Sequence, residues 1–364
     1  MTNTDNAPFV PKSYETATIK KLVGSKIEIT GSISAPVWSR YRTQAIKNIN
    51  ESITIDGFRK GMVPENVLMA KVGDMTILEE MAELALSKVY IDILVENKID
   101  AIGKPEIRIT KLAKDNPLEF VATTAVVPEI KLPDYKKIAK SEVGKSGPDE
   151  LKVVEKDIED AILKIRRQHA SHEGHDHKKM TPEEHEKAIS AAMPELTDNF
   201  VRTLGDFSDI PDFKNKLSDM IAEQKRDDAR EKLRIRIADK ITDASTIELP
   251  EVMIETELNR TQAQFSADIE KMSVKMEDYL KHAKKTIEEI HKEWRPHAEK
   301  KAKLQLVLNE IAKIEKIVPD PKEIQDEVNH IIEHYKDADR ERATVYAETV
   351  LTNEKVFRWL ERVE

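Results

Sequence analysis

The string with the most chemical content is Gly57-Phe58-Arg59-Lys60-Gly61-Met62-Val63-Pro64. Two glycines four residues apart permit a tight loop, and Pro64 can start the next helix. Between the glycines stand an aromatic ring and two cations, which give an exposed tip both an apolar anchor and charge. Residues 38–64 carry Arg40, Arg42, Lys47, Arg59 and Lys60 against Glu51 and Asp56, a local excess of positive charge in a chain of formal net charge −9. The acidic total argues against broad nucleic-acid binding, yet a local basic patch of this kind still suits docking on RNA.

The second distinctive feature is histidine. His169, His172, His175, His177 and His185, with Glu173 and Asp176 among them, could hold Zn²⁺ or a similar ion, because neutral imidazoles bind transition metals well. The spacing defines no fixed set of four ligands, and structural zinc sites often include cysteine, which this chain lacks. A solvated linker tip is the simpler reading, so no firm metal site is assigned; partial protonation near neutral pH would tune its charge. Without cysteine there is also no disulfide and no thiolate nucleophile, which suits a reducing compartment. Gly144-Lys145-Ser146 looks like the end of a phosphate loop, but that motif requires a glycine where Ala139 stands. No dinucleotide turn and no nucleophile–base pattern appears, so the expectation is no catalytic residue and no cofactor.

The elements that must position these residues follow from composition and period. The 364 residues are 39% hydrophobic, 35% charged and only 5% aromatic, which favours long polar-surfaced helices over one large core. Every glycine lies at or before Gly205, so residues 206–364 should be helical. Residues 1–13, with Pro8 and Pro11, read as a flexible terminus. Tyr14–Leu22 and Lys26–Ile33 read as a hairpin, followed by a helix with Ser34 as N-cap and Trp38, Tyr41, Ala45, Ile49 and Ile53 on one face. Helices near Glu65–Val72 and Asp74–Asn97 and strands Glu106–Leu112 and Leu118–Val127 complete an α+β domain over 14–127. Residues 128–148, rich in proline and glycine, read as an extended linker. Residues 149–364 read as an all-helical domain with projecting arms and a His-rich loop at 169–185, its helices ended or kinked near Gly205, Pro211, Pro250, Pro296, Pro319 and Pro321, with Pro296 a kink within Ala283–Lys316. They include separate helices at Asp339–Val350 and Asn353–Arg362. No signal-peptide core and no eighteen-residue apolar stretch is present, so a cytoplasmic protein without a membrane segment is expected.

Gly57–Pro64, preceded by Asp56, is similar to the G-F-R-x-G-x-x-P signature of trigger factor, the family of bacterial ribosome-associated chaperones. Glu96-Asn97-Lys98-Ile99, Val127-Pro128-Glu129, Pro194-Glu195-Leu196-Thr197 and Ile247-Glu248-Leu249-Pro250 fall in the family's order, so the resemblance covers nearly the whole chain. It implies an N-terminal ribosome-binding domain in which Phe58, Arg59 and Lys60 contact ribosomal protein and RNA beside the exit tunnel of the large subunit. Gly57, Gly61 and Pro64 would shape the loop. It also implies ATP-independent sheltering of nascent or unfolded polypeptides in a helical cradle, and self-association of the free protein, as family members can dimerise.

In the family's common form an FKBP-like prolyl isomerase domain sits roughly where this chain has only His169–Met193, a segment with one glycine and no aromatic residue. The isomerase domain is therefore read as absent, and a peptidyl-prolyl isomerase is the disfavoured alternative, beside a metal-binding or scaffolding helical protein. Chaperoning without ATP needs adaptable exposed apolar surface, for which Met253, Phe265, Met272, Met276, Tyr346 and Phe357 are candidates, although helix packing explains any one of them as well.

Overall fold

The computed structural model describes residues 13–145, 147, 151–170, 190–335 and 338–363. In chain order the elements are β1 (Thr16–Leu22), β2 (Lys26–Ile33), α1 (Ala35–Trp38), α2 (Arg42–Ser52), α3 (Glu65–Glu96), β3 (Ala101–Lys111), β4 (Leu118–Val126), β5 (Ile130–Lys131), α4 (Tyr135–Val143), α5 (Glu155–Gln168), α6 (Asp198–Leu204), α7 (Ile210–Ala244), β6 (Thr246–Ile247), α8 (Glu251–Lys271), α9 (Met276–Ala283), α10 (Ile287–Ile314), α11 (Pro321–His334) and α12 (Arg340–Leu360). The chain divides into two compact units, Met1–Lys131 with Thr246–Leu306, and Leu132–Ser245 with Val307–Glu364. The fold is α+β: a sheet region followed by helices, with the helical stretch shared between the two units.

In the first unit, four antiparallel strands lie in the order β1-β2-β4-β3. Alternation in β2 buries Ile27, Ile29, Gly31 and Ile33 on one face, and β4 answers with Leu118, Phe120, Ala122 and Thr124. Register sets Gly31 opposite Phe120 and Ile29 opposite Ala122. A Cβ at position 31 would stand 2.8 Å from Phe120 Cζ, so glycine is what lets the ring lie against the neighbouring strand. Helices α1 to α3 cover this face with Trp38, Ala45, Ile49, Leu68, Ile77, Met81 and Ile93, and Trp38 Nε1 donates to the Asn116 carbonyl at 3.0 Å. Fully burying one large apolar side chain contributes roughly 1.5–3 kcal/mol, and this cluster holds many of them. Ser34 occupies the N-cap position without a side-chain cap bond, and a 3₁₀ turn at Ser39–Tyr41 splits the single helix expected there. Gly73, at φ +80°, breaks α3 between the two helices read from the sequence.

Still within this unit, β5 pairs with β6, Ser25 Oγ donates to the Glu248 carbonyl at 2.7 Å, and the Gly24 N–H donates to the Glu248 carboxylate at 2.8 Å. From there α8, α9 and the first part of α10 form a helical arm with a small core of Ile254, Leu258 and Ala298. Arg295 forks onto both oxygens of Glu251 at 2.6 Å each, and Lys301 reaches Glu257 at 2.8 Å.

The second unit is built on α7, capped by Asp209, whose carboxylate accepts from the Asp212 N–H at 2.9 Å. Ile162, Val201, Phe213 and Leu217 join α5, α6 and α7. The stretch 128–148, expected as an extended linker, instead holds β5 and α4. Asp134 caps α4 after Pro133, and Tyr135, Ala139 and Glu142 recur at helical steps on its buried face, a period hidden among the prolines and glycines. Glu142 accepts from Lys145 at 2.7 Å and from Lys240 at 2.5 Å, and these cations hold its carboxyl down to about 2. Arg234 on α7 forks onto Glu354 of α12 at 2.6 and 3.0 Å. The two helices expected at 339–350 and 353–362 are one, α12, because no glycine or proline interrupts Ala343, Ala347, Val356 and Leu360 along its buried face. The two-residue β6 is a departure from an all-helical 149–364. Apart from Ser13, the N-terminal residues read as flexible lie outside the described residues.

Candidate functional site

The Gly57–Pro64 loop joins the end of α2 to the start of α3, both seated on the sheet core. Two successive turns shape it. The Phe58 N–H donates to the Ile55 carbonyl at 3.1 Å, and the Met62 N–H donates to the Arg59 carbonyl at 2.9 Å. Gly57 and Gly61 are the third residues of these turns, at φ +86° and +82°, the position where a type II turn demands glycine. A Cβ at Gly57 would meet nothing within 4 Å, so backbone conformation rather than crowding requires glycine there.

Asn50, in the last turn of α2, ties the loop shut. Its side-chain amide donates to the Val63 carbonyl at 2.8 Å and its Oδ1 accepts from the Val63 N–H at 3.1 Å, while the Asn50 carbonyl accepts from the Gly61 N–H at 3.1 Å. Val63, 4% exposed, anchors the loop's far end in the core, and Pro64 caps α3. Nothing local in the sequence marks Asn50 for this role, because its partner is thirteen residues away.

The tip is presented outward. Gly57, Phe58, Arg59 and Lys60 are exposed, Gly61 is half-buried, and Phe58 keeps 39% of its surface in water. The side chains of Arg59 and Lys60 have no ion-pair or hydrogen-bond partner among the described residues, whereas Arg42 is taken up by Glu65 at 2.9 Å. The loop thus offers an apolar ring and two uncompensated cations on a closed frame. Met62 adds a further exposed apolar side chain beside them, at 72%.

The other candidates are dispersed. Phe265 packs edge-on against Tyr279 and Trp294, with ring centroids 5.0 and 5.3 Å away, while Met272 is exposed and Met253 and Met276 are half-buried. In the second unit Tyr346 is exposed, and Phe357 is half-buried with the Arg234 guanidinium over its ring at 5.5 Å. His169 is exposed and meets Phe200 edge-on at 5.9 Å. His172, His175, His177 and His185 lie outside the described residues, among which no three potential ligands gather into a metal set. Ala139, where a phosphate loop would need glycine, is buried within α4. No helix among the described residues is long and apolar enough to cross a membrane.

Comparison with known proteins meets this geometry. The family model for bacterial trigger factor protein matches residues 15–165, and the model for the trigger factor C-terminus matches residues 209–360. The chain is 24% identical to trigger factor of Halothermothrix orenii, covering 86% of this chain and 89% of that protein. It is 25% identical to trigger factor of Carboxydothermus hydrogenoformans, covering 91% and 93%. A solved chain, from work on promiscuous substrate recognition in folding and assembly by the trigger factor chaperone, has the same fold. It superposes with a TM-score of 0.55 at 17% identity, over 96% of this chain and 100% of that one. The alignment to the H. orenii protein runs over 386 positions, more than this chain's 364 residues, so that relative carries residues without a counterpart here. With its two matched segments separated by residues 166–208, the chain belongs to the trigger factor family of chaperones.

Proposed function

We propose that this protein docks beside the nascent-chain exit of the large ribosomal subunit through Phe58, Arg59 and Lys60, and shelters nascent or unfolded polypeptides on its helices without ATP. The observation that carries the reading is the closed loop on which these three side chains stand exposed, its cations unpaired among the described residues. Ribosomal RNA and acidic protein supply the complementary charge, and burying the Phe58 ring adds apolar contact. Gly57, Gly61 and Pro64 set the loop's shape and make no contact of their own. Met272 and Tyr346 are the most exposed of the candidate client-binding side chains, with Met253, Phe265, Met276 and Phe357 contributing partial surface. Adaptable side chains of this kind suit many clients held weakly.

The protein acts in the cytoplasm, associates with itself when free of ribosomes, and lacks prolyl isomerase activity. The last point is supported by the two family segments lying close together in the chain and by the longer relative. Co-sedimentation with ribosomes tests docking: replacing Phe58, Arg59 and Lys60 together by alanine is expected to abolish it, and unchanged binding overturns the docking role. A peptide-proline isomerisation assay tests the second point, and turnover at sub-stoichiometric protein overturns it.

A further inference from the structure

Trp359 on α12 lines a cleft of about 550 Å³ with Lys136, Lys355, Arg358, Arg362 and Val363, all within the second unit. Four cations around one indole are unexpected on a protein of net charge −9. Trp359 lies four residues after Lys355, and Arg362 four after Arg358, so adjoining sides of α12 and the turn after it present them together. Lys136 arrives from α4 and stands 5.2 Å from the indole centroid, while Tyr135 packs against the same ring at 6.2 Å.

The charges are only partly used. Lys136 pairs with Glu315 at 2.9 Å, Lys355 with Glu323 at 2.8 Å, and Arg358 gives its Nε to Glu354 at 2.8 Å. The terminal amino groups of Arg358 and the whole guanidinium of Arg362 have no partner among the described residues. Three carboxylates already stand beside the cations, so an extended polyanion such as RNA would meet repulsion along its length. One isolated carboxylate meets two guanidinium groups suited to planar, bidentate recognition, with an indole beside them for an apolar neighbour.

We propose that this cleft binds a polypeptide segment bearing an isolated carboxylate beside an apolar residue, the carboxylate held by Arg358 and Arg362 and the apolar side chain laid against Trp359. The choice of a polypeptide ligand rests on the chaperone reading above; the site itself is separate from the docking loop. The test is fluorescence anisotropy of a labelled fifteen-residue peptide carrying one Glu-Leu pair in an otherwise uncharged Ser and Gly sequence with the full-length protein. Its Gln-for-Glu counterpart and a twelve-residue oligouridylate serve as competitors. The expected result is about tenfold preference for the Glu peptide, weakening with salt, and loss of that preference in the Arg358→Gln/Arg362→Gln variant. An Arg358→Lys/Arg362→Lys variant, folded by circular dichroism, should keep the charge attraction and part of the preference. Equal affinity for the Glu and Gln peptides, an unchanged Gln variant, or tighter binding of the oligouridylate overturns the proposal. Suppression of aggregation of an unfolded client, measured alongside, separates the two readings. Its failure in the unaltered protein overturns the chaperone role, whereas failed discrimination between the peptides overturns the cleft alone.

Discussion

The Gly57–Pro64 loop and the arm of α8, α9 and the first part of α10 belong to the same compact unit, yet they rest on different kinds of support. Under the loop lies a sheet core in which Ile29, Ile33, Leu118 and Phe120 are fully buried, with Asn50 fastening the loop to it by two side-chain bonds. The arm is held by a small cluster of Ile254, Leu258 and Ala298, further buried side chains such as Ile269 and Ile290 strung along it, an aromatic trio and ion pairs near its surface. The contrast suits the two tasks proposed for them. A loop that recognises one fixed surface gains from a rigid frame, because the ordering cost is already met before contact. A surface for varied chains needs side chains free to rearrange, and regions with few buried contacts open at lower cost.

That contrast can be broken by mutation. Phe120→Ala should produce the largest effect, about 3–5 kcal/mol in denaturant unfolding of the sheet domain, since the ring is wholly buried against Gly31 and leaves a cavity the strands cannot close. Leu258→Ala in the arm should cost about 2 kcal/mol, at the low end for such a change, because its thinly packed neighbours can relax into the space. A cost equal to that of Phe120→Ala would remove the distinction between the two supports. Asn50→Ala should cost about 1–2 kcal/mol by leaving the Val63 backbone groups without their partner. It should also weaken ribosome co-sedimentation several-fold although the motif itself is intact. Unaltered binding would show that the loop's frame is immaterial.

The smallest effect is one of pH, in the second unit. Lys145 first and Lys240 second stabilise the ionised Glu142, holding its carboxyl at about 2 against an ordinary 4.5. A depressed carboxyl contributes stability in full above its unfolded value, and that contribution is lost as pH falls from about 4.5 toward about 2. The difference in melting midpoint between the protein and Glu142→Gln should therefore shrink as pH is lowered through that window. A difference independent of pH would contradict it.

Much of this was legible in the sequence where period and turn chemistry are strong. Alternation at Ile27, Ile29 and Ile33 marks a strand of the hairpin, the gap between helices read to Val72 and from Asp74 falls at the break in α3, and the glycines of the 57–64 loop mark a tight loop, which the structure builds from two turns. What escaped is what depends on distant partners. Helix α4 hides in a stretch whose prolines and glycines read as a linker; β6 is two residues long and exists through its pairing with β5; Asn50 acts on Val63 across the loop. The cleft at Trp359 likewise joins Lys136 of α4 to Trp359 of α12, 223 positions apart.

The central claim is that docking and client holding reside in different surfaces, and one variant tests it. Phe58→Ala/Arg59→Ala/Lys60→Ala should lose ribosome co-sedimentation while suppressing aggregation of an unfolded client as well as the unaltered protein does. Retained ribosome binding, or parallel loss of both activities in a variant with unchanged folding, would contradict the account.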